Sequence, residues 1–199
     1  EFTRRRKAGG REHTLGLYAQ EIWRPHARVE LTGGLRVDLW RSEDGYRRER
    51  DALAGTPLVD ESFDARNDVF ASPRVGLLFE ASTSLVVRAS AYRGFRVPTL
   101  NELYRPFRVR NDITEANADL DMERLTGADL GFDFRSARAG ISLTTFVNRL
   151  DDPVANVTIA EGPGDVSPCG FVPEGGVCRQ RLNLGRTRTV GVEIDGQVE

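Results

Sequence analysis

"SLVVRASAYRGFRVPTLNELY", Ser84 to Tyr104, decides how this chain is read. Its first half alternates. Leu85, Val87, Ala89 and Ala91 fall on one side of an extended chain, and Arg88, Ser90 and Tyr92 on the other. That period of two marks a strand with one apolar face. The second half breaks the rhythm with Gly94, Phe95, a lone Arg96 and Pro98. A two-residue turn is enough to reverse a hairpin, so an ending this elaborate needs another reason.

The alternation recurs on both sides. Predicted strands cover residues 14–23, 28–40, 74–81, 84–92, 125–134 and 139–150, and a last one starts near "RLNLG" and runs through "TVGVEIDGQV". Val29, Leu31, Leu35, Val37 and Leu39 oppose Glu30, Thr32, Gly34, Arg36 and Asp38. Leu130 and Phe132 oppose Asp129 and Asp133, and Val190 and Val192 oppose Glu193 and Asp195. The predicted connections alternate in length: "RPHA", a polar stretch from Arg41 to Pro73, "ST", a segment holding the opening motif, "RSAR", and a segment holding both cysteines. Antiparallel strands joined this way put every short turn at one end and every long loop at the other. Loops beyond about 15 residues are uncommon in compact soluble domains. Transmembrane barrels have such a division, with short periplasmic turns and long extracellular loops.

The pattern therefore predicts an all-β fold: about seven strands of an antiparallel transmembrane β-barrel. A soluble β-sandwich serving as a binding or adhesion module also has an apolar face and a wet face, and stands as the alternative. Strands of roughly 9–13 residues favour the barrel, since soluble strands centre near 5–6. Composition agrees. The 199 residues are 39% hydrophobic and 29% charged with mean hydropathy -0.41, and no run of 18 apolar residues occurs, which excludes a transmembrane helix but not a barrel. A net charge of -2 gives no sign of nucleic-acid binding. Lys7 is the only lysine, and the arginine excess reads as coding bias. The chain starts without Met and stops inside an alternating run, as expected of a piece of a longer protein.

The segment "ASAYRGFRVPTLNELY" closely resembles the strand-end signature of TonB-dependent outer-membrane receptors, through Gly94, Phe95, Arg96, Pro98, Thr99, Leu100, Glu102, Leu103 and Tyr104. "LTGGLRVDLW", "ANADLDMERLTGADLGFDF", "LTTFVNRLDDPVANV" and "RLNLGRTRTVGVEIDGQ" resemble further strands of the family, in order, with Met122 and Asp129 as departures. The resemblance implies a barrel of about 22 strands around an N-terminal plug. Residues 1–199 would be part of that barrel domain, without the plug. Such receptors take up a scarce bulky nutrient, most often a ferric siderophore, with cobalamin, haem and glycans as others. The TonB complex drives them through the plug, and they carry no catalytic residue, cofactor or metal. The implied location is the bacterial outer membrane, among its lipid and lipopolysaccharide. In the motif, Gly94 is expected to let the chain bend and Pro98 to end pairing. Phe95 and Tyr104 are expected at the outer interface, with Arg96 and Glu102 fixing the loop base as a rim scaffold.

Other groups give weaker signals. Cys169 and Cys178 have no histidine nearby and no C-x-x-C spacing. A disulfide clamping an exposed loop fits an oxidising envelope. Arg4, Arg5, Arg6 and Lys7, and Arg47, Arg48 and Arg50, fall in predicted outer loops. They read either as solvated charges offset by Glu43, Asp44, Glu49 and Asp51, or as attractors of anionic siderophores or lipopolysaccharide phosphates. His13 and His26 lie near no nucleophile signature, and an enzyme reading is weak.

Overall fold

The computed structural model describes residues 4–198. One sheet dominates it. β1 (Arg4–His26) pairs with β2 (Val29–Asp51), and β2 pairs in turn with β3 (Pro57–Phe63) and β4 (Arg66–Ser82). β4 pairs with β5 (Leu85–Arg96), and β5 with β8 (Glu123–Arg135). β8 pairs with β9 (Ala139–Asp151), and β9 with β14 (Arg186–Val198). The order β1-β2-β4-β5-β8-β9-β14 is sequential, with β3 on β2 beyond β4. All these pairs are antiparallel.

Register shows why the sequence folds this way. Leu15, Leu39 and Val69 form one cross-strand row; Val87, Phe132 and Leu143 form another, continued by Ile194. The rows join into an apolar band on one face. That band is exposed: Leu17 is 70% accessible and Val192 64%. A sandwich would bury it under a second sheet, and no such sheet lies over it among the described residues. The sandwich alternative is therefore set aside.

The opposite face holds charges in pairs. Arg36 meets Asp38 at 2.6 Å, and Arg88 grips Asp133 through two hydrogen bonds of 2.6 and 3.0 Å. Ser90 pairs with Asp129, and Tyr92 donates to Asn148 at 3.0 Å. Paired charges inside and bare hydrocarbon outside suit a barrel wall set in lipid.

Several strand limits differ from the sequence reading. The predicted loop from Arg41 to Pro73 is mostly strand. β2 runs on to Asp51, a short turn follows, and β3 and β4 return along it. The turn is held by Asp51, which accepts hydrogen bonds from the backbone N–H groups of Leu53 and Ala54. Above the apolar band the outer face meets water and the inner face packs around polar groups such as Ser42 and Glu49, so the apolar alternation disappears while the ladder continues. Arg4–Arg6 and Arg47–Arg50 accordingly sit in paired strands, not loops. Likewise "RLN" closes an earlier strand, and β14 starts only at Arg186.

The two longest connections fold on themselves. After β5 come a one-turn helix α1 (Leu100–Tyr104), β6 (Phe107–Val109) and β7 (Asp112–Glu115). After β9 come β10 (Val154–Glu161), β11 (Gly164–Val166), β12 (Gly170–Val172) and β13 (Val177–Asn183). Both contribute to one small sheet, β10-β13-β7-β6, in which β13 and β7 run parallel. Cys169 is bonded to Cys178, with Cα atoms 5.9 Å apart, and the pair packs with Ile113 and Val172 in a core of its own.

Leu130 lies mid-band on β8. Leu130→Arg in the membrane-inserted protein should cost about 2–4 kcal/mol in lipid-vesicle unfolding. Glu193→Gln, on the polar face, should stay close to neutral. Equal costs for the two would refute the assignment of faces.

Candidate functional site

The site is the loop-bearing rim, where strands leave the band. Its centre is the end of β5. The β4–β5 ladder stops at Arg74 and Tyr92, whereas β5 stays paired with β8 as far as Arg96 and Glu123. In the space this opens, Phe95 stacks on Phe70 at 4.1 Å between ring centroids and joins Trp40, Met122 and Val97. Phe95 is therefore a plug between strands, not an interface anchor. Gly94 has an ordinary extended backbone, and a Cβ there would meet nothing within 4 Å. The chain does not bend at Gly94, so the freedom expected of it is unused. The strand ends shortly after, and Pro98 beyond it is buried.

Thr99 then caps α1. Its hydroxyl accepts from the Glu102 backbone N–H at 3.3 Å, and the Glu102 carboxylate accepts from the Thr99 N–H at 2.8 Å. This reciprocal box satisfies two helix-end donors. Leu100 packs beside Leu103, which with Tyr104 and Leu120 forms a buried core. Tyr104 stacks on Phe63 at 4.7 Å, so it too faces inward rather than toward an interface. Its ring lies against Gly45, where a Cβ would sit 2.7 Å from Tyr104 Cζ. Only glycine admits so close an approach.

Arg96 ties these parts together. It reaches Glu102 Oε2 at 2.9 Å and Glu123 Oε1 at 2.7 Å. Glu123 in turn accepts from the backbone N–H of Val154 at 2.7 Å, reaching the second long connection. Burial pushes the Glu102 carboxyl up, but Arg96 and the Thr99 bonds outweigh it and hold it below the usual range. Arg66 donates to the carbonyls of Ala118 and Leu120, and Arg181 to those of Asn101 and Arg105.

A second knot lies further out. An irregularity in the β1–β2 register between Gly9 and Arg11, with Asp44 at positive φ, adds a residue to β2 and reverses its parity. Gly45, Arg47 and Glu49 now face inward. Glu49 is fully buried and accepts from Arg47 at 2.8 Å, with Arg6 at 3.1 Å. Arg47 also lies 2.9 Å from Glu115 Oε2 on β7, without the alignment of a hydrogen bond. Burial raises the Glu115 carboxyl, and neighbouring Glu49 adds to the rise, beyond what Arg47 and Arg6 offset.

Of the residues the sequence singles out, Arg96, Pro98, Thr99, Leu100, Glu102, Leu103 and Tyr104 thus come together, and the Cys169–Cys178 bond sits in the adjoining small sheet. Sequence reasoning misses Glu123, although it follows Met122 in a recognisable strand-entry pattern. Arg66, Arg181, Glu49 and Glu115 have no local signal.

A wall with hydrocarbon outside, paired charges inside and folded loops at one end defines a segment of an outer-membrane type of β-barrel. The sequence model for "TonB dependent receptor-like, beta-barrel" matches residues 2–199, and the chain belongs to that family. The hemoglobin and hemoglobin-haptoglobin-binding protein C of Haemophilus influenzae is 29% identical over 132 residues, which cover 64% of this chain and 12% of that protein. The Serratia marcescens hemophore receptor HasR superposes with a TM-score of 0.72 at 18% identity, over 94% of this chain and 32% of HasR. The copper transporter OprC does so at 0.69 and 21% identity, over 94% of this chain and 27% of OprC. The chain therefore spans a small part of its relatives' length.

Two outcomes test the rim. Arg96→Ala should make opening of residues 97–122 easier by about 1–2 kcal/mol, read as faster amide exchange, because two partly buried carboxylates lose their shared donor. Arg96→Lys should recover only part, since an ammonium lacks the planar fork. Exchange unchanged in both would discount the tie. The second test concerns pH. With its pKa raised above the ordinary 4.5, Glu115 binds a proton more tightly folded than unfolded. Its contribution is full below that value and is lost as pH rises through the folded pKa. Protection of β7 and β13 should therefore decline with pH in a window above 4.5, and Glu115→Gln should remove that slope.

Proposed function

We propose that this chain is part of the barrel domain of an outer-membrane receptor that imports an iron compound with energy relayed by TonB. The carrying observation is the family match over residues 2–199, on a sheet whose apolar face is bare. The outer edges of β1 and β14 carry no partner strand among the described residues. Unpaired peptide groups in hydrocarbon cost several kcal/mol each, so further strands of the same receptor must close the barrel. The plug that TonB engages lies, in this reading, in that same remainder.

The motif from Gly94 to Tyr104 serves as rim scaffold: Arg96, Thr99 and Glu102 set the loop base, and Phe95, Pro98, Leu100, Leu103 and Tyr104 pack it. The Cys169–Cys178 bond clamps the outer sheet. The ligand passes without chemical change. Ferric siderophores and haem are the two ligand classes in view, the second because the Haemophilus relative is named for haemoglobin binding.

Growth under iron starvation separates them. Cells given one iron source, a ferric siderophore or haemoglobin, should grow on one of them only with both the intact receptor gene and TonB. Growth on each source that ignores both deletions would refute the proposal.

A further inference from the structure

The two long connections are built as one body. β7 of the first pairs with β13 of the second. Asn111 donates to the carbonyl of Glu174 at 3.0 Å, and Asp112 accepts from Arg179 at 3.0 Å and from the backbone N–H of Val177 at 3.3 Å. Gly176 lies so close that a Cβ there would sit 2.4 Å from the Asn111 carbonyl oxygen. Ile113, Val172 and the Cys169–Cys178 bond share one core. The base of this body is fixed to the rim through Arg96, Glu123 and Val154.

Its outer part meets the β1–β2 hairpin quite differently. A cleft of about 410 Å³ lies between residues 105–108 on one side and residues 6–8 and 47–49 on the other. Among the described residues, Arg47 and Glu115 make the one ion pair that joins β6, β7 and β10–β13 to β1–β3, and no hydrogen bond accompanies it. That pair is buried. Glu115 is 2% exposed, and its Oε2, 2.9 Å from Arg47 Nη1, has no hydrogen-bond partner. Arg47 is shared with Glu49, which is fully buried on β2 and also takes Arg6 from β1. Arg181 adds a cation from β13. Two carboxylates thus gather around one arginine, and Glu115 is the one left short of donors. An ionised carboxyl is costly to bury in that state, whereas a neutral one is tolerated.

We propose that Arg47 and Glu115 form a pH-sensitive latch: the outer sheet stays docked on the β1–β2 hairpin while Glu115 carries a proton, and parts from it as one body when that proton is lost. The raised Glu115 pKa, caused first by burial, agrees in sign. The docked state binds the proton more tightly than the parted state, in which water reaches the carboxylate. Docking is therefore complete at low pH and weakens as pH rises through the docked-state pKa, in a window above 4.5. The latch rests on the uptake reading only for what its opening admits.

The test is a distance measurement. Leu53, at the hairpin tip, and Val109, on β6, are both exposed. Leu53→Cys and Val109→Cys carry nitroxide labels in the full receptor in detergent, with any other free cysteine changed to serine. The docked-to-parted ratio should fall at least about fivefold between pH of about 4.5 and about 8. Glu115→Gln, which keeps the neutral shape, should stay docked throughout. Asp112→Asn, which weakens a tie inside the outer body, should leave the midpoint of separation unchanged. Amide exchange in β6, β7, β10, β12 and β13 should follow the same midpoint, whereas residues 97–104 should not respond. A label distance that ignores pH, or an equal pH response in the native and Glu115→Gln proteins, would overturn the latch. So would a change confined to β7, which would be local fraying. Separation that follows pH in a receptor whose uptake ignores TonB would sustain the latch and sink the uptake reading. A pH-invariant distance with TonB-dependent uptake would sink the latch alone.

Discussion

Every peptide group inside hydrocarbon must find its partner in the protein, because no water is there to take its place. The seven-strand ladder is the consequence. It explains why turns at one end shrink to residues such as Ala27 and Arg28 or Thr83 and Ser84. It also explains why register is continuous across the band from Val29 to Leu39 against β4. Once the ladder is fixed, the period of two does the rest. Residues such as Val87, Phe132 and Leu143 are driven outward together, and Arg88 and Asp133 inward together. Arg88 and Asp133 meet across strands and Arg36 and Asp38 along one, so these inward charges do not face a dry interior alone.

Beyond the hydrocarbon the constraint relaxes, and a different problem takes over. The loops are long but poor in apolar residues, so they cannot be held by one large core. They are held by three small ones: around Trp40 and Phe70, around Leu103 and Tyr104, and around the Cys169–Cys178 bond. Polar ties join these cores. Arg96 connects β5, α1 and β8, and Glu123 passes the connection on to Val154. Asn183 donates to the carbonyls of Asp121 and Asp152, holding the bases of both long connections side by side.

This division explains what is legible in the sequence. Inside the band, alternation reports facing directly, so Leu85, Leu130, Val190 and their charged neighbours can be assigned to faces from pattern alone. Above it, the outer face is wet and the inner face buries polar groups such as Glu49, so the apolar pattern fades and strands at 41–51 and 57–63 read as loop. The bulge near Asp44 hides more. Continuing the parity of Asp38, Trp40 and Ser42 would point Arg48 and Arg50 inward, yet the extra residue turns Arg47 and Glu49 inward instead. Gly94 and Phe95 mislead for a related reason: a local rule fails where β4 parts from β5, because that gap depends on both strands. Thr99 and Glu102 are legible as a unit because a capping box is local in sequence. Arg66 and Arg181 are not, since their partners lie more than fifty positions away.

The arginine excess has a structural side as well. Abundance alone does not say where the side chains go. Arg96 hydrogen-bonds two carboxylates; Arg47 hydrogen-bonds Glu49 and stands in ion-pair range of Glu115; Arg66 and Arg181 each hold two backbone carbonyls. A planar fork with five donors can satisfy two acceptors at once, and its charge never leaves it near neutral pH. Lysine offers a point charge that commits poorly to two fixed partners. A rim short of apolar surface gains most from a residue that joins segments in pairs, and arginines at such crossing points act as its fasteners. Against that background the cations around the β1–β2 hairpin divide into two kinds. Arg6 and Arg47 are used up by buried carboxylates. Arg105 and Arg108 stand exposed at the rim, with no carboxylate within 4.0 Å among the described residues.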